Sequence, residues 1–471
     1  MYRKIWAGKI AVLHSRLSLG ERYDEWTRIR NGQVRIVIGA RSAVFAPLED
    51  IGIIIMDEEH ESTYKSDMSP KYDTVEVAIK RAKTFNGLII LGSATPSVVS
   101  TYRSEQGIYK RIELKERYNQ IALPKIEIVD MREELKLGNK SIFSRLLYDE
   151  MQKCLEEKQQ VILFLNRRGY STFVSCRECG YVMKCPECGI SLTYHKAENA
   201  AVCHYCGKME PLPKMCPECG SKYIRHFGTG TEKVEELTSS MFPDYPIARL
   251  DLDTIKLKGS VDKIINDFRK EKTRILIGTQ LVAKGLDFKN VGLVGIISAD
   301  VILNIPDYRS AETTFQLVTQ AAGRAGRGHK EGKVVIQTYN SDHYSIQASS
   351  EQNYKAFYDT ELLLRRSLMY PPFSDIVQVI VIAKDEQVCK DGAQNVMEAV
   401  RGHLGKEFQN NIFEPQPLLI NSRKEHYRYY ILIKCPKGKR GKCLSAVEKV
   451  KKHINTGKKY QYSVSVDVNP Y

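Results

Sequence analysis

In Ile51-Gly-Ile-Ile-Ile-Met-Asp-Glu-Glu-His60 a short run of β-branched and apolar residues breaks without a spacer into three acids and a histidine. Such a run reads as a buried strand of an α/β protein with a mainly parallel sheet. Ligands of these sheets gather at the carboxyl ends of the strands. Two neighbours repeat the pattern: Val34–Ile38 runs into Gly39-Ala-Arg-Ser-Ala43, and Leu88–Leu91 into Gly92-Ser-Ala-Thr-Pro96. Each is expected to deliver small or polar residues to the same edge of one sheet. There Asp57 can hold Mg²⁺, directly or through water, and Glu58 can orient and deprotonate an attacking water, the chemistry of nucleotide hydrolysis. Alone, D-E-E-H would read as a solvated acidic turn. Ser93-Ala-Thr95 after the next strand, a hydroxyl-rich link between hydrolysis and movement, argues against that.

Further along, short apolar runs alternate with longer polar helical stretches, the pattern of an α/β protein with mainly parallel sheets. Ile10–Leu13 belongs to the first series. A second comprises Ile126–Val129, Val161–Leu165, Ile247–Leu250, Ile275–Ile277, Val291–Ile297 and Val334–Ile336. After Tyr370-Pro-Pro-Phe373 the texture changes, and Ile376–Ala383, Tyr429–Lys434 and Tyr462–Val468 read as strands of a separate α+β domain. The 471 residues suit about three domains. Expected boundaries are 1–115 for a first lobe, 116–175 and 223–369 for a second, 176–222 for an insertion in it, and 370–471 for the last domain. No apolar run reaches the roughly 18–20 residues of a spanning helix, as expected of a soluble chain.

The insertion holds four C-x-x-C pairs, Cys176/Cys179, Cys185/Cys188, Cys203/Cys206 and Cys216/Cys219, each followed directly by glycine. Four thiolates close one tetrahedral zinc site, so eight suit two structural Zn²⁺ with no ligand over. Fourteen residues separate Cys188 from Cys203 and only five separate Cys179 from Cys185. That spacing favours nesting, with Cys185, Cys188, Cys203 and Cys206 on one ion and Cys176, Cys179, Cys216 and Cys219 on the other. Cys154, Cys389, Cys435 and Cys443 are scattered and read as ordinary residues.

Lys and Arg exceed Asp and Glu by 71 to 56, a net charge of +15, which favours polyanionic partners. The excess concentrates in residues 421–460, with 13 basic residues against Glu425 and Glu448. His426, Tyr427, Tyr429 and Tyr430 are interleaved, as suits phosphate contact with base stacking, although a solvated basic face fits this segment equally well. Arg423, Lys424 and Arg428 are its candidate contacts.

The second series carries Gly278-Thr-Gln280, Lys284-Gly-Leu-Asp-Phe288 and Gln320-Ala-Ala-Gly-Arg-Ala-Gly-Arg327. Arg324 and Arg327, three apart among glycines, can reach a γ-phosphate held by a facing domain, as an arginine finger does. Taken in order, these motifs resemble a superfamily 2 helicase. With the cysteine insertion and Tyr-Pro-Pro-Phe, the chain is similar throughout to the PriA family of bacterial replication-restart helicases (primosomal protein N′). The resemblance implies two RecA-like lobes, ATP-driven DNA unwinding at stalled forks, and Asp57, Gly285 and Asp287 facing ATP with Mg²⁺. It implies that Glu61–Ala82, with Tyr64, Lys65 and Tyr72, is an aromatic-rich loop coupling DNA binding to hydrolysis. It also implies the same zinc nesting. Implied partners are single-stranded and forked DNA, single-stranded DNA-binding protein with its acidic tail, other primosome proteins and the loader of the replicative helicase. The setting would be a monomer in the bacterial cytoplasm at the nucleoid, with no membrane.

One family feature is missing. No G-x-x-x-x-G-K-[ST] phosphate loop occurs in these residues. The expectation is a truncated or split frame whose first lobe is incomplete, with Leu88–Leu91 lacking a partner on one side. Two other readings stay open: a zinc-stabilised DNA- and partner-binding protein without ATPase activity, and a zinc-ribbon scaffold of the RNA polymerase or ribosomal kind. The last leaves Gln320–Arg327 unexplained.

Overall fold

The computed structural model describes residues 6, 8–15, 17–114, 124–165, 173–195, 199–226, 231–251, 260–279, 288–326, 331–418, 426–457 and 460–470. Four short strands come first: β1 (Ile10–Leu13), β2 (Ile36–Gly39), β3 (Ile53–Met56) and β4 (Leu88–Leu91). They form two parallel pairs, β1 with β2 and β3 with β4, and no ladder joins the pairs among the described residues. The expectation of one sheet edge therefore holds only pair by pair. Side chains link the halves instead: Arg81 of the helix Thr74–Thr84 donates to the carbonyls of Val44 and Leu48.

A strand presents alternate side chains to opposite faces. In the β3–β4 pair, Ile54, Met56, Ile89 and Leu91 pack on Val44 and Ala78. The other face shows Ile53 and Ile55 at 50% and 66% exposure, beside Leu88 and Ile90 at 59% and 43%. Register sets Ile53 opposite Leu88 and Ile55 opposite Ile90, so the four form one apolar patch.

The second lobe is built on β5 (Lys125–Asp130), β6 (Gln160–Phe164), β12 (Ile247–Leu250), β13 (Ile275–Gly278), β14 (Val291–Ile296) and β15 (Lys333–Thr338). They make one six-stranded parallel sheet of order β12-β13-β6-β14-β15-β5. Ile162, Phe164, Val294 and Ile296 face Leu317, Val318 and Ala321 of the helix Ser310–Ala322. Their neighbours Val161, Leu163, Ile275 and Leu293 face Leu147, Met151 and Val234 of the helices Arg145–Glu156 and Thr231–Met241. Helices thus cover both faces, which is why these strands read as unbroken apolar runs.

Between β6 and Thr231 lies the cysteine insertion, with β7 (Val174–Cys176), β8 (Thr193–His195), β9 (Ala200–Val202), β10 (Met209–Pro211) and β11 (Ile224–His226). The last domain is an antiparallel sheet of β16 (Ser374–Ala383), β17 (Gln416–Pro417), β18 (Tyr427–Pro436) and β19 (Tyr462–Val468), ordered β17-β18-β16-β19. Val377, Val379, Val381, Ile431 and Ile433 pack on Val396, Met397, Val447 and Val450 of the helices Glu386–Leu404 and Arg440–Thr456. Outside the insertion and β17, which no apolar run announced, the observed strands lie within two residues of the apolar runs. No helix among the described residues is long and apolar enough to cross a membrane.

The β3–β4 patch yields a contrast. Ile55→Lys should leave the unfolding midpoint nearly unchanged while lowering concentration-dependent light scattering, because that side chain is largely exposed. Leu163→Ala, in the fully buried middle of β6, should cost about 2–5 kcal/mol in denaturant titration. Equal costs for the two would contradict this arrangement.

Candidate functional site

The acid cluster begins where β3 ends. Gly92 N donates to Met56 O and Glu59 N to Gly92 O, tying the ends of β3 and β4 together. Glu58 N donates to Asp57 Oδ1 at 3.0 Å, and Tyr64 OH donates to Asp57 O at 2.7 Å. Glu58 has φ +49°, a left-handed conformation that is unusual for a residue with a side chain.

From there a polar chain crosses to the second lobe. His60 Nδ1 lies 2.6 Å from Ser93 Oγ, and His60 Nε2 lies 2.7 Å from Gln320 Nε2. A Gln320 amide donating to Nε2 leaves the imidazole proton on Nδ1, where it is donated to Ser93. Ser93 Oγ also accepts from Thr95 N at 3.0 Å. The D-E-E-H, G-S-A-T and Q-x-x-G-R motifs, over 200 residues apart in sequence at their extremes, are thus one hydrogen-bonded unit.

Gln320 does not act alone. Gln316 Nε2 donates to Thr95 O at 3.5 Å, and Glu312 Oε1 accepts from Val98 N at 2.8 Å. Residues four apart lie on one helix face, so Glu312, Gln316 and Gln320 form one polar stripe of the helix Ser310–Ala322, turned to the first lobe. Glu312 and Gln316 were not among the sequence candidates. Their only trace in the sequence is that four-residue spacing leading up to Gln320.

Glu59 sits beside this junction, accepting from Ser97 N at 2.6 Å and Ser100 Oγ at 2.9 Å. Burial, reinforced by the Glu312 carboxylate, holds its pKa above the ordinary value against those hydrogen bonds. Arg324 lies in the turn that follows the helix and is buried. In the same turn Gly326 has φ +68°, and a Cβ there would come within 2.5 Å of Gly332 N, so glycine is required. Arg327, Gly285 and Asp287, with Gln280 and Lys284, lie outside the described residues, as do Arg423 and Lys424. Arg428 is on β18, opposite Ile382 in the ladder. Tyr72 packs edge-on against Phe45 at 4.8 Å. Lys65 is buried, its ammonium 2.9 Å from Asp467 of the last domain.

The eight clustered cysteines form two nested sets, Cys176, Cys179, Cys216 and Cys219, and Cys185, Cys188, Cys203 and Cys206, as the spacing predicts. Each pair is built alike. The glycine N–H after each pair donates to the carbonyl of its first cysteine, at 2.8–2.9 Å, and all four glycines have φ between +69° and +80°. Sulfur separations of 3.7 Å (Cys176–Cys219), 3.5 Å (Cys179–Cys216) and 3.5 Å (Cys185–Cys206) are far too long for disulfides. Four thiolates about 2.3 Å from a tetrahedral Zn²⁺ would stand about 3.8 Å apart, so both sets fit the ion.

Family models match the described features in turn. The model of the primosomal protein N C-terminal domain matches residues 366–471, that of the PriA DNA helicase Cys-rich region residues 185–211, and that of the helicase conserved C-terminal domain residues 220–329. The Cys-rich model spans the inner cysteine set. Over 468 residues, 99% of this chain, the sequence is 46% identical to the replication restart protein PriA of Bacillus subtilis, of which the match covers 58%. The Synechocystis protein of that name is 44% identical over 92% of this chain and 53% of its own length. For Treponema pallidum the figures are 40%, 92% and 64%. The chain thus spans between half and two thirds of these relatives.

Metal analysis of the purified chain should give two zincs. Cys188→Ala should remove one and loosen the inner ribbon by on the order of 10 kcal/mol of local folding energy. X-ray absorption showing fewer than four sulfur ligands per zinc would contradict the two closed sets.

Proposed function

Because the chain belongs to the PriA family of replication restart proteins, we propose that it works as an ATP-dependent DNA helicase that acts at stalled forks and assembles the primosome. The Ser93–His60–Gln320 chain carries this reading. It joins the acids at the end of β3 to the Gln320–Arg327 segment of the other lobe, the connection needed for hydrolysis in the cleft to move the lobes. Asp57, exposed at the strand end, would hold Mg²⁺, which supplies counter-charge to phosphate oxygens when bound. Glu58 would orient and deprotonate the attacking water, while Gly285 and Asp287 would face the nucleotide. Arg324 and Arg327 would meet the charge that grows on the transferring phosphoryl group.

DNA would run along the loop of Tyr64, Lys65 and Tyr72 and the basic segment with Arg423, Lys424 and Arg428. The net charge of +15 supports a polyanionic partner. Family membership supports single-stranded DNA-binding protein and the loader of the replicative helicase as protein partners, in the bacterial cytoplasm.

The test is hydrolysis and unwinding with a G-x-x-x-x-G-K-[ST] phosphate loop supplied ahead of this chain. A forked duplex should be opened only with ATP. Arg324→Ala or Arg327→Ala should lower the hydrolysis rate by about 10³–10⁵ with nucleotide still bound, and Glu58→Gln should trap ATP. Asp57→Ala should weaken Mg²⁺–ATP binding. Fork binding without ATP-dependent opening would instead favour a DNA- and partner-binding role.

A further inference from the structure

Lys65 is a loop residue, yet its ammonium is enclosed. Nζ forms an ion pair with Asp467 Oδ1 at 2.9 Å and donates to Val468 O at 2.7 Å and to Lys71 O at 3.2 Å. The same carboxylate takes a second cation, with Lys71 Nζ 3.0 Å from Asp467 Oδ2. Asp467 belongs to β19, the edge strand of the last domain's sheet. One carboxylate of that domain therefore clamps two lysines of the loop that follows the acid cluster. A second clamp lies just beyond: Glu76, in the first turn of the helix Thr74–Thr84, receives two hydrogen bonds from Arg440, at 2.7 and 2.8 Å.

The loop's other end is fixed to the first lobe. Tyr64, next to Lys65, donates to Asp57 O, and its own carbonyl accepts from Thr74 Oγ1 at 2.6 Å. Arg41 of the Gly39–Ala43 segment donates to the carbonyls of Thr63 and Lys65. Asp467, Lys65, Tyr64 and Asp57 thus form one mechanical path from the last domain to the acid pair. The loop tip is open to solvent, with Met68 73% exposed, and Lys71 is more exposed than Lys65.

We propose that Asp467 is a latch that occupies Lys65 and Lys71 as a phosphate would, and that single-stranded DNA phosphates displace it, freeing the loop and its hold on Asp57. The proposal rests on the DNA-binding reading above. A phosphodiester offers the same hard anionic oxygens as a carboxylate, and a strand presents them in series. Lys71, the more accessible cation, would exchange first. Lys65 would follow, and Tyr64 would then no longer be held from behind as it bonds the Asp57 carbonyl.

Hydrogen exchange and oligothymidylate binding, both on the full chain, test this. Asp467→Asn should speed exchange in residues 61–73 about tenfold, with β6 and β14 unchanged as the control for folding. It should also tighten oligothymidylate binding about three- to tenfold, whereas Asp467→Glu should behave as wild type. Oligothymidylate added to wild type should speed exchange in residues 462–468. Should Asp467→Asn fail to fold, Lys71→Gln, which removes the outer cation alone, should still speed exchange in the loop. Oligothymidylate bound equally by wild type and Asp467→Asn, or unaltered loop exchange in the variants, overturns the latch. No binding by either chain overturns the DNA-binding reading instead, and the competition with it.

Discussion

The carboxylate of Glu312 is buried between the lobes and shared by three parts of the chain. Oε1 accepts from the first N–H of the helix Val98–Glu105, and Oε2 accepts from Arg365 Nη2 at 2.6 Å. Arg365 is itself buried, pairs with Glu361 at 2.7 Å and donates to Pro371 O. A charge in such a place is tolerable only while every partner stays. Removing one leaves the other uncompensated, at about 3–5 kcal/mol. First lobe, second lobe and the turn that opens the last domain are held in register by this one group. The neighbouring His60–Gln320 contact depends on that register.

The zinc sites act on the same register from the other side. The C-terminal sheet has helices on one face only. Its other face, with Ile376, Ile380, Tyr430 and Leu432, packs on Tyr370 and, from the insertion, Tyr205. Tyr370 stacks on Tyr308 at 4.9 Å and donates its hydroxyl to Cys188 O at 2.8 Å. Lys434 stands 4.0 Å over the Tyr370 ring and donates to Leu368 O, and burial lowers its pKa. The ribbon has a small core of its own, with Val174, Met183, Ile190 and Leu192, and once its cysteines are closed on metal it becomes a rigid surface for the last domain.

Much of this was legible in the residues. Strands, C-x-x-C-G turns and the small or acidic residues after each strand are local features, set by side-chain period, glycine freedom and the rule for strand ends. The zinc nesting followed because fourteen intervening residues accommodate a hairpin and five do not. The sequence by itself determined the strands and turns because each depends on neighbours a few residues away, and the nesting because the cysteine spacing constrains which pairs can share an ion. Tertiary structure alone decided that Glu312 and Gln316 line the junction, that Lys65 is clamped rather than displayed, and that the first four strands form two pairs. It also decided that Asp467, an unremarked acid near the end of the chain, reaches the loop after Asp57. Glu312 meets Val98 across 214 residues, and Lys65 meets Val468 across 403. No local pattern encodes such partners. A buried charge is matched only when the folded backbone brings its counter-charge within reach.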